Sequence, residues 1–329
     1  MSPVAAAPLF VLSLTVTLLA ARLFARRLDH LGVRYGFPEA LIGLLTALAA
    51  DGPEISSALY ALIRGAHDVS IGVLVGSNAF NLAAMIGISG LLAGCVRVAR
   101  GALVVEGSIG VAITLLAAAV LLGWLGAASA ALIAVVLLVP YLLIVLGGLR
   151  SMAGRSETIA RLASSLSQRP VGGRGESRSN PTHHLLALIV LDVGLIIAGS
   201  AGMVQTALSL GDSWQVSRAA LGVLVLAPLT SIPNAMTGVR LGLASRSAAL
   251  VGETFNSNTI NLGGGVIAPA LFTGLAALTA TAKLELAWLL GMTVATVALL
   301  ARRGGMRRPG ASLLILLYVG FVAVELSSH

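Results

Sequence analysis

The chain has 329 residues, of which 57% are hydrophobic and only 10% are charged, and its formal net charge is +8. A soluble domain carries about 25% charged residues, so a water-soluble fold of this size would lack polar residues for its surface. This composition excludes an ordinary cytosolic enzyme, a disordered regulator and a nucleic-acid-binding protein. Apolar runs of about 20 residues exclude an outer-membrane barrel, whose strands alternate apolar and polar residues over about ten positions. The single cysteine, Cys95, excludes an intramolecular disulfide framework.

Ten apolar stretches follow one another along the chain, and each is long enough to cross a membrane as a helix. The first stretch has no positive charge before it and three arginines after it (Arg22, Arg26 and Arg27), so we interpret it as a retained helix and not as a signal peptide. The predicted spans are residues 4–24, 38–63, 71–95, 102–124, 127–148, 184–210, 218–242, 247–273, 281–300 and 311–327.

The basic residues predict the orientation of these spans. With the N-terminus outside, the inner loops and their flanks hold 18 of the 21 basic residues, and the outer side holds only Arg64, Arg218 and Lys283. This bias follows the positive-inside rule. We therefore expect an integral protein of the cell (plasma) membrane with both termini outside and the central loop in the cytoplasm. The positive charge is then a topology signal, and the expected partners are the lipid bilayer and inorganic cations, with no nucleic acid. The sequence carries no sign of an oligomeric state.

The longest loop, residues 149–183, divides the chain into a first membrane region, 1–148, and a second, 184–329. Each region has five predicted spans, and because five is odd, a second copy of the same unit must enter the membrane from the opposite side. Inverted repeats of this kind place the substrate site between the repeats, near the middle of the bilayer. The expected fold is an all-α polytopic membrane protein with ten transmembrane helices in two inverted five-helix repeats.

An internal repeat supports this organisation. Residues 47–82 align with 227–262 without a gap at an offset of 180, and the alignment pairs Pro53 with Pro233 and the Ser-Asn-x-x-Asn run at Ser77 with that at Ser257. Proline and a Ser-Asn-x-x-Asn run are uncommon in membrane spans, so the match of both at the same offset is strong evidence for an internal repeat. Each proline removes a backbone donor and leaves a carbonyl one turn earlier in need of a partner, which a cation or a neighbouring helix could supply.

Polar residues gather in the same segments. Asp51 and Glu54 lie one turn apart, and a charge deep in a membrane costs several kcal/mol unless it is compensated. A divalent cation, sodium ions or protons could relieve their repulsion, and we expect the pair to make transport depend on pH. Singly, each serine or asparagine could instead join two helices. Together they offer the oxygen ligands that hard cations prefer, without histidine or cysteine. The candidate cation ligands are Asp51, Glu54, Ser77, Asn81, Thr230, Ser231, Asn234, Ser257 and Asn261.

The two segments resemble the α-repeats of the calcium/cation antiporter superfamily, the sodium/calcium exchangers. That family carries Gly-Thr-Ser-x-Pro-Glu on one helix and Gly-Asn-x-x-Gly-Ser-Asn-x-x-Asn on the next, in each repeat. The matching stretches here are Ala49–Glu54 with Gly72–Asn81, and Leu229–Asn234 with Gly252–Asn261. The resemblance implies ten spans, an outside N-terminus, and backbone carbonyls of Ala47 and Ala227 as further candidate ligands.

Three of the departures from that pattern change the number of acids. Ala50-Asp51 stands where the family has Thr-Ser, Asn234 stands where it has a second glutamate, and Glu253 replaces an asparagine. Counted over both repeats, the first motif still contains two acids, but both of them lie in the first repeat. The departures leave open a changed ion selectivity, a changed stoichiometry or a loss of transport, and Glu253 has no role assigned by the resemblance.

The resemblance implies secondary active cation antiport, with calcium exchanged for sodium by alternating access. The alternatives are a proton-coupled cation exchanger and a transport-inactive homologue that acts as a membrane scaffold or sensor. No cofactor and no enzymatic chemistry are expected, because nucleotide-binding and metalloprotease motifs are lacking. Transported Ca²⁺ and Na⁺, or H⁺, are substrates. Glu106 and Asp192, inside the fourth and sixth spans, are equally candidates for a proton relay or for structural hydrogen bonds.

Overall fold

The computed structural model describes residues 2–35, 37, 39–145, 182–273 and 278–327. Within these ranges the chain forms ten helical units at the positions of the ten predicted spans. They are α1 Pro3–Arg34, α2 Glu39–Ile63, α3 His67–Ala93, α4 Arg100–Leu121, α5 Ala127–Val145, α6 Thr182–Trp214, α7 Arg218–Thr230 with Ile232–Leu243, α8 Ser247–Leu262 continued by Gly263–Ile267 and Ala268–Ala270, α9 Ala280–Leu300 and α10 Arg308–Ser327. The predicted linker at 149–183 lies almost wholly outside the described residues.

Apolar length alone identifies only part of this set. Six described helices are long and apolar enough to cross a membrane, and the two parts of α7 make a seventh. The helices α2, α5 and α8 do not meet this criterion. The apolar part of α5, Ala127–Leu143, is short, whereas α2 and α8 carry buried acids and amides on faces that the other helices cover. The polypeptide is thus an all-α polytopic membrane protein built as two five-helix halves, α1–α5 and α6–α10.

The helices α1 and α6 lie side by side on the outside of the bundle. In each of them, only about a quarter of the most apolar segment is buried. Their contact is close because α6 presents glycine to α1: a Cβ atom added at Gly199 would lie 3.0 Å from the carbonyl oxygen of Ser13. Small residues at such crossings let helix backbones approach in a membrane. The predicted end of the first span at residue 24 is wrong, because α1 continues to Arg34 and carries Arg22, Arg26 and Arg27 on the helix itself.

The centre of the bundle depends on an equally close contact between α3 and α7, one from each half. A Cβ atom at Gly222 would lie 2.7 Å from the carbonyl oxygen of Val69, and one at Gly76 would lie 2.8 Å from the Cβ atom of Ala227. The two backbones therefore touch, and the polar segments that follow in each helix are brought into the same layer of the molecule.

Both halves contain a π-helical stretch directly after the repeated Ser-Asn-x-x-Asn run. In α3 it covers Leu82–Ile88 and in α8 it covers Gly263–Ile267. A π turn widens the helix and often lies beside a functional position. The sequence analysis did not predict these stretches, because π-helical turns have no distinct residue pattern.

The two repeated prolines act differently. Pro53 lies inside the continuous helix α2, whereas α7 breaks at Ser231 and bends by 49° before Pro233. The interruption is therefore confined to the second half. A physical reason is that α7 contains two prolines, Pro228 and Pro233, so two backbone donors are lost within six residues.

A two-stranded antiparallel sheet, unexpected from the sequence, joins two connections at one end of the bundle. Its strands are β1, Cys95–Val96, and β2, Met306–Arg307, with Cys95 opposite Arg307. The sheet ties the α3–α4 connection to the α9–α10 connection and so links the two halves outside the helices.

We predict that Gly222→Ala destabilises the protein, because the new Cβ atom would meet the backbone of α3 and neither backbone can rotate away. Overpacking of this kind costs about 1–3 kcal/mol. The matched control is Gly291→Ala in α9, where nothing lies within 4 Å of the added atom. Thermal unfolding in detergent should show a lower melting temperature for the first variant only; equal melting temperatures would contradict the close contact.

Candidate functional site

The nine candidate side chains meet in the interior, where α2, α3, α7 and α8 converge. Each is 0–1% exposed, although they are separated by up to 210 positions along the chain. Asp51 and Glu54 come from α2 in the first half. Most of the groups that contact their carboxylates come from α7 and α8 in the second half, so the site lies at the interface between the repeats.

The side-chain amide of Asn234 lies at the centre of this cluster. Its Nδ2 atom is 2.8 Å from Asp51 Oδ1, 3.3 Å and 3.4 Å from the two carboxylate oxygens of Glu54, and 3.2 Å from Ser257 Oγ. One nitrogen thus has four oxygen neighbours, and an amide has only two hydrogens to donate. The amide occupies the position between two carboxylates where a positive charge would be stabilised most.

Hydroxyl and amide donors from the second half complete the contacts of the two acids. Ser257 donates to Asp51 Oδ1 at 2.6 Å, Ser231 donates to Glu54 Oε1, and Asn261 donates to Glu54 Oε2 at 3.1 Å. These hydrogen bonds compensate part of the cost of burying two negative groups. They do not neutralise the charge, because every one of these partners is uncharged.

Two asparagines that were not among the candidates bracket the site symmetrically. Asn78 donates to the backbone carbonyl of Asn258 at 3.2 Å, and Asn258 donates to the carbonyl of Asn78 at the same distance. Asn81 donates to Ser257 Oγ at 3.0 Å, and Asn261 donates to Asn78 Oδ1 at 3.1 Å. Asn78 and Asn258 match at the repeat offset of 180, and this match is the signal that could have identified them. Their reciprocal hydrogen bonds hold α3 against α8.

Three buried oxygens of the cluster have no hydrogen-bond partner among the described residues: Asp51 Oδ2, Asn81 Oδ1 and Asn261 Oδ1. They come from α2, α3 and α8. Unpartnered buried acceptors are uncommon and call for an explanation. Carboxylate and amide oxygens are the ligands that Ca²⁺ and other hard cations bind. The described residues contain no group of three or more His, Cys, Asp or Glu side chains placed to hold a metal ion, so any bound cation would rely on amide and hydroxyl oxygens as well.

Some of the candidates make contacts within their own helices. Ser77 donates to the carbonyl of Leu74 at 3.2 Å, and Thr230 donates to those of Leu226 and Ala227 at 2.9 Å and 3.2 Å. The carbonyl of Ala227 also accepts the backbone N–H of Ser231 at 3.1 Å, so it already has two donors. Ala47, buried on α2, lies one turn before Asp51.

The two candidates for a proton relay lie outside the cluster. Asp192 forms an ion pair with Arg27, which also donates to the carbonyl of Leu188 at 3.2 Å. This pairing between α1 and α6 favours a structural role for Asp192. Glu106 on α4 packs beside Gly252 of α8, and its Oε2 atom has no partner among the described residues.

A cavity of about 200 Å³ lies near the N-terminal end of α3. Asp68 and Arg218 are among the residues that line it, and Leu74 and Gly265 line it as well. Leu74 is 1% exposed, and its carbonyl accepts the hydroxyl of Ser77.

The fold and the buried oxygen cluster define a class, the polytopic membrane proteins built of inverted repeats with a polar site between them. The sequence pattern of one family, described as "Sodium/calcium exchanger protein", matches residues 5–149 and 184–326. The chain belongs to that family.

Solved structures show the same architecture. The chain is similar to the sodium-calcium exchanger NCX_Mj soaked with 2.5 mM Na⁺ and 10 mM Sr²⁺, with a TM-score of 0.60, 19% identity and coverage of 98% of this chain and 99% of that one. Against the same exchanger soaked with 2.5 mM Na⁺ and 1 mM Sr²⁺, the TM-score is 0.61 with 20% identity and 97% coverage of each chain. These likenesses show the fold. No curated protein sequence matches the chain significantly.

We predict that Arg27→Gln lowers the melting temperature by several degrees, because it leaves the buried carboxylate of Asp192 without its countercharge. The double variant Arg27→Leu with Asp192→Leu should recover much of the loss. The control is Arg22→Gln, which removes an exposed charge from the same helix. If Asp192→Asn instead leaves stability intact and removes proton-dependent transport in vesicles, then Asp192 is a relay and the structural assignment is wrong.

Proposed function

We propose that this protein is a secondary active cation antiporter that exchanges calcium for sodium, with the cluster around Asp51 and Glu54 as its ion site. The observation that carries the proposal is the pair of fully buried carboxylates with neutral partners, beside three unpartnered oxygens. Two carboxylates match the charge of one divalent cation. Two monovalent cations match it equally, so the same groups can serve both substrates in turn.

The contacts of Asn234 suggest how the site is stabilised when no ion is bound. Its amide nitrogen approaches both carboxylates, and three further donors reach them from the second half. An entering cation would take over these interactions. Since an amide carries nitrogen at one end and oxygen at the other, a half-turn of the Asn234 side chain would convert it from a donor to the carboxylates into an oxygen ligand.

Alternating access follows from the position of the site between the halves. The acids belong to α2, and their partners belong to α7 and α8, so a movement of one half against the other would change which side of the membrane reaches the ions. We propose that the protein lies in the cell membrane with both termini outside, as the arginine distribution predicts. The sodium gradient would supply the free energy.

The central prediction concerns Glu54. Glu54→Gln should abolish gradient-driven uptake of calcium-45 into proteoliposomes, because no other group can replace the lost charge. Expression and melting temperature should be retained, since glutamine has the size of glutamate, can still accept the hydrogen bond from Ser231 and removes one of two repelling charges, although its NH2 group cannot accept from Asn261. The matched control is Asp29→Asn, which removes an exposed acid from α1 and should transport normally.

The imposed gradient separates the candidate functions. Uptake driven by a sodium gradient supports sodium/calcium exchange, and uptake driven only by a proton gradient supports a proton-coupled exchanger. A folded wild-type protein that responds to neither gradient would indicate a transport-inactive homologue. Normal uptake by Glu54→Gln would remove Glu54 from the site.

A further prediction tests whether the second acid has moved between the repeats. Asp51→Ser should weaken calcium binding severely, and adding Asn234→Glu should restore part of it, because a divalent ion in a dry site needs about two compensating charges whichever helix supplies them. Calorimetric affinities for calcium and sodium at two pH values would check this. If Asp51→Ser changes neither affinity nor its pH dependence, then Asp51 does not act on the ion.

A further inference from the structure

Exposed arginines lie close together at the end of the bundle where the two-stranded sheet lies. The sheet joins the two segments that carry them, residues 97–100 and 302–308, which belong to different halves of the chain. The connections from α3 to α4 and from α9 to α10 contain only residues 94–99 and 301–307. Such short connections cannot extend far from the membrane, so these side chains lie at the depth of the lipid headgroups. The arginine patch consists of Arg97, Arg100, Arg302, Arg303, Arg307 and Arg308, all exposed.

The sheet places two of these side chains on the same face. Val96 and Met306 are paired and are each 1% exposed, and neighbouring residues on a strand point to opposite faces. Arg97 and Arg307 follow these buried residues, so both lie on the exposed face. The contacts agree with this arrangement: Arg97 Nε donates to the carbonyl of Gly304 at 3.2 Å, and a Cβ atom added at Gly304 would lie 3.9 Å from Arg307 Nη2.

A third guanidinium group is fixed beside the sheet. Arg308 Nε donates to the carbonyl of Leu91 at 3.2 Å, and a Cβ atom added at Gly94 would lie 3.9 Å from both Nε and Nη2 of Arg308. Arg97 and Arg308 thus each bind a backbone carbonyl through Nε. Their terminal nitrogens make no hydrogen bond to a described residue and are available to a ligand.

The positive charge of the arginine patch is not balanced by nearby acids. In the part of the chain that the structure describes, no carboxylate lies within 4.0 Å of any of its six guanidinium groups. Like charges at neighbouring positions of a sheet face destabilise it. The turn nevertheless fixes them there, because Gly304 and Gly305 have φ angles of +90° and +83°, and a Cβ atom at Gly305 would clash with the carbonyl oxygen of Val96. An anion bound here would therefore meet several donors that the fold already holds together.

We propose that the arginine patch binds the phosphate group of an anionic phospholipid, on the side of the membrane that the arginine distribution predicts to be cytoplasmic. Arginine binds phosphate through two parallel N–H donors, and basic clusters at the cytoplasmic ends of spans bind anionic lipids. An apolar surface for the acyl chains lies beside the patch. Ile88 and Leu92, four residues apart at the end of α3, are 39% and 54% exposed, and Leu92 follows the residue whose carbonyl Arg308 contacts.

A phosphate at this position would connect the two halves of the protein. Arg97 belongs to the first half, whereas Arg307 and Arg308 belong to the second. A ligand that binds the folded protein and not the unfolded chain raises the melting temperature. The patch lies outside the helices that hold Asp51 and Glu54, so its lipid binding does not depend on ion exchange and is measured without it.

The test is native mass spectrometry of the full-length protein in detergent, with phosphatidylglycerol as the anionic lipid and phosphatidylcholine as the neutral one. The wild type should bind phosphatidylglycerol more tightly, and this lipid should raise the melting temperature more. Arg307→Gln should weaken phosphatidylglycerol binding about fivefold, because one basic side chain is lost from the headgroup site. Arg307→Lys should show a smaller loss, since it keeps the charge but cannot bind phosphate with two parallel donors.

Matched variants separate the arginine patch from a general effect of charge. Arg22→Gln removes an exposed arginine from α1 on the same predicted side, and it should bind phosphatidylglycerol as the wild type does. Arg303→Gln removes a second arginine of the patch and should also weaken binding, which keeps the test decisive if Arg307→Gln folds poorly. Inorganic phosphate, which has no acyl chains, should raise the melting temperature less than the lipid does.

Each outcome supports the lipid site or overturns it. Loss of phosphatidylglycerol binding in the Arg303 and Arg307 variants, with normal binding by Arg22→Gln, supports it. Equal affinity of the wild type for the two lipids, or an equal loss in Arg22→Gln, would show that the arginine patch is not a lipid site. If inorganic phosphate stabilises the wild type as strongly as phosphatidylglycerol, the patch takes a soluble anion and the lipid assignment is wrong.

Discussion

Two carboxylates one turn apart in a buried helix impose the main constraint on this structure. Asp51 and Glu54 are removed from water, and the side chains that contact them are neutral hydroxyls and amides. Burying a charge is costly unless it is paired or hydrogen-bonded, so the rest of the core must bring donors to these two groups. Four helices from both halves converge to do so. The close backbone contact of α3 with α7, made possible by glycine, is the packing arrangement that allows this convergence.

The donor arrangement relates stability to the proposed transport. Hydrogen bonds from the second half hold the carboxylates in the absence of an ion, and they also hold the two halves together. A bound cation would replace part of these interactions with direct coordination. The strength of contact between the halves would then depend on which ion is present, and such a dependence is what an exchanger needs to change conformation only when it is loaded.

The symmetry between the halves is close in backbone and incomplete in chemistry. The prolines, the Ser-Asn-x-x-Asn runs and the Asn78–Asn258 pair obey the offset of 180, and the π-helical stretches of α3 and α8 follow it to within one residue. A further π-helical stretch in α7, Leu221–Leu226, has an α-helical counterpart in α2. The acids do not: Asp51, Glu54 and Glu253 correspond to Ser231, Asn234 and Val73. The charges are therefore distributed unevenly about a symmetric scaffold.

The sequence by itself determined the fold class, the ten helical positions and the set of polar residues, because apolar length, arginine bias and costly polar residues at a fixed offset are properties of the chain. It did not determine where α1 ends, since a helix can carry Arg26 and Arg27 beyond the apolar segment. It also did not determine that α2 stays continuous while α7 breaks, or that Asp192 pairs with Arg27. The ion pair depends on a contact between residues 165 positions apart, which no local pattern of the chain predicts. The central place of Asn234 depends on tertiary structure in the same way: its four oxygen neighbours come from two other helices, α2 and α8, and only the packing of these helices against α7 brings those oxygens around one amide.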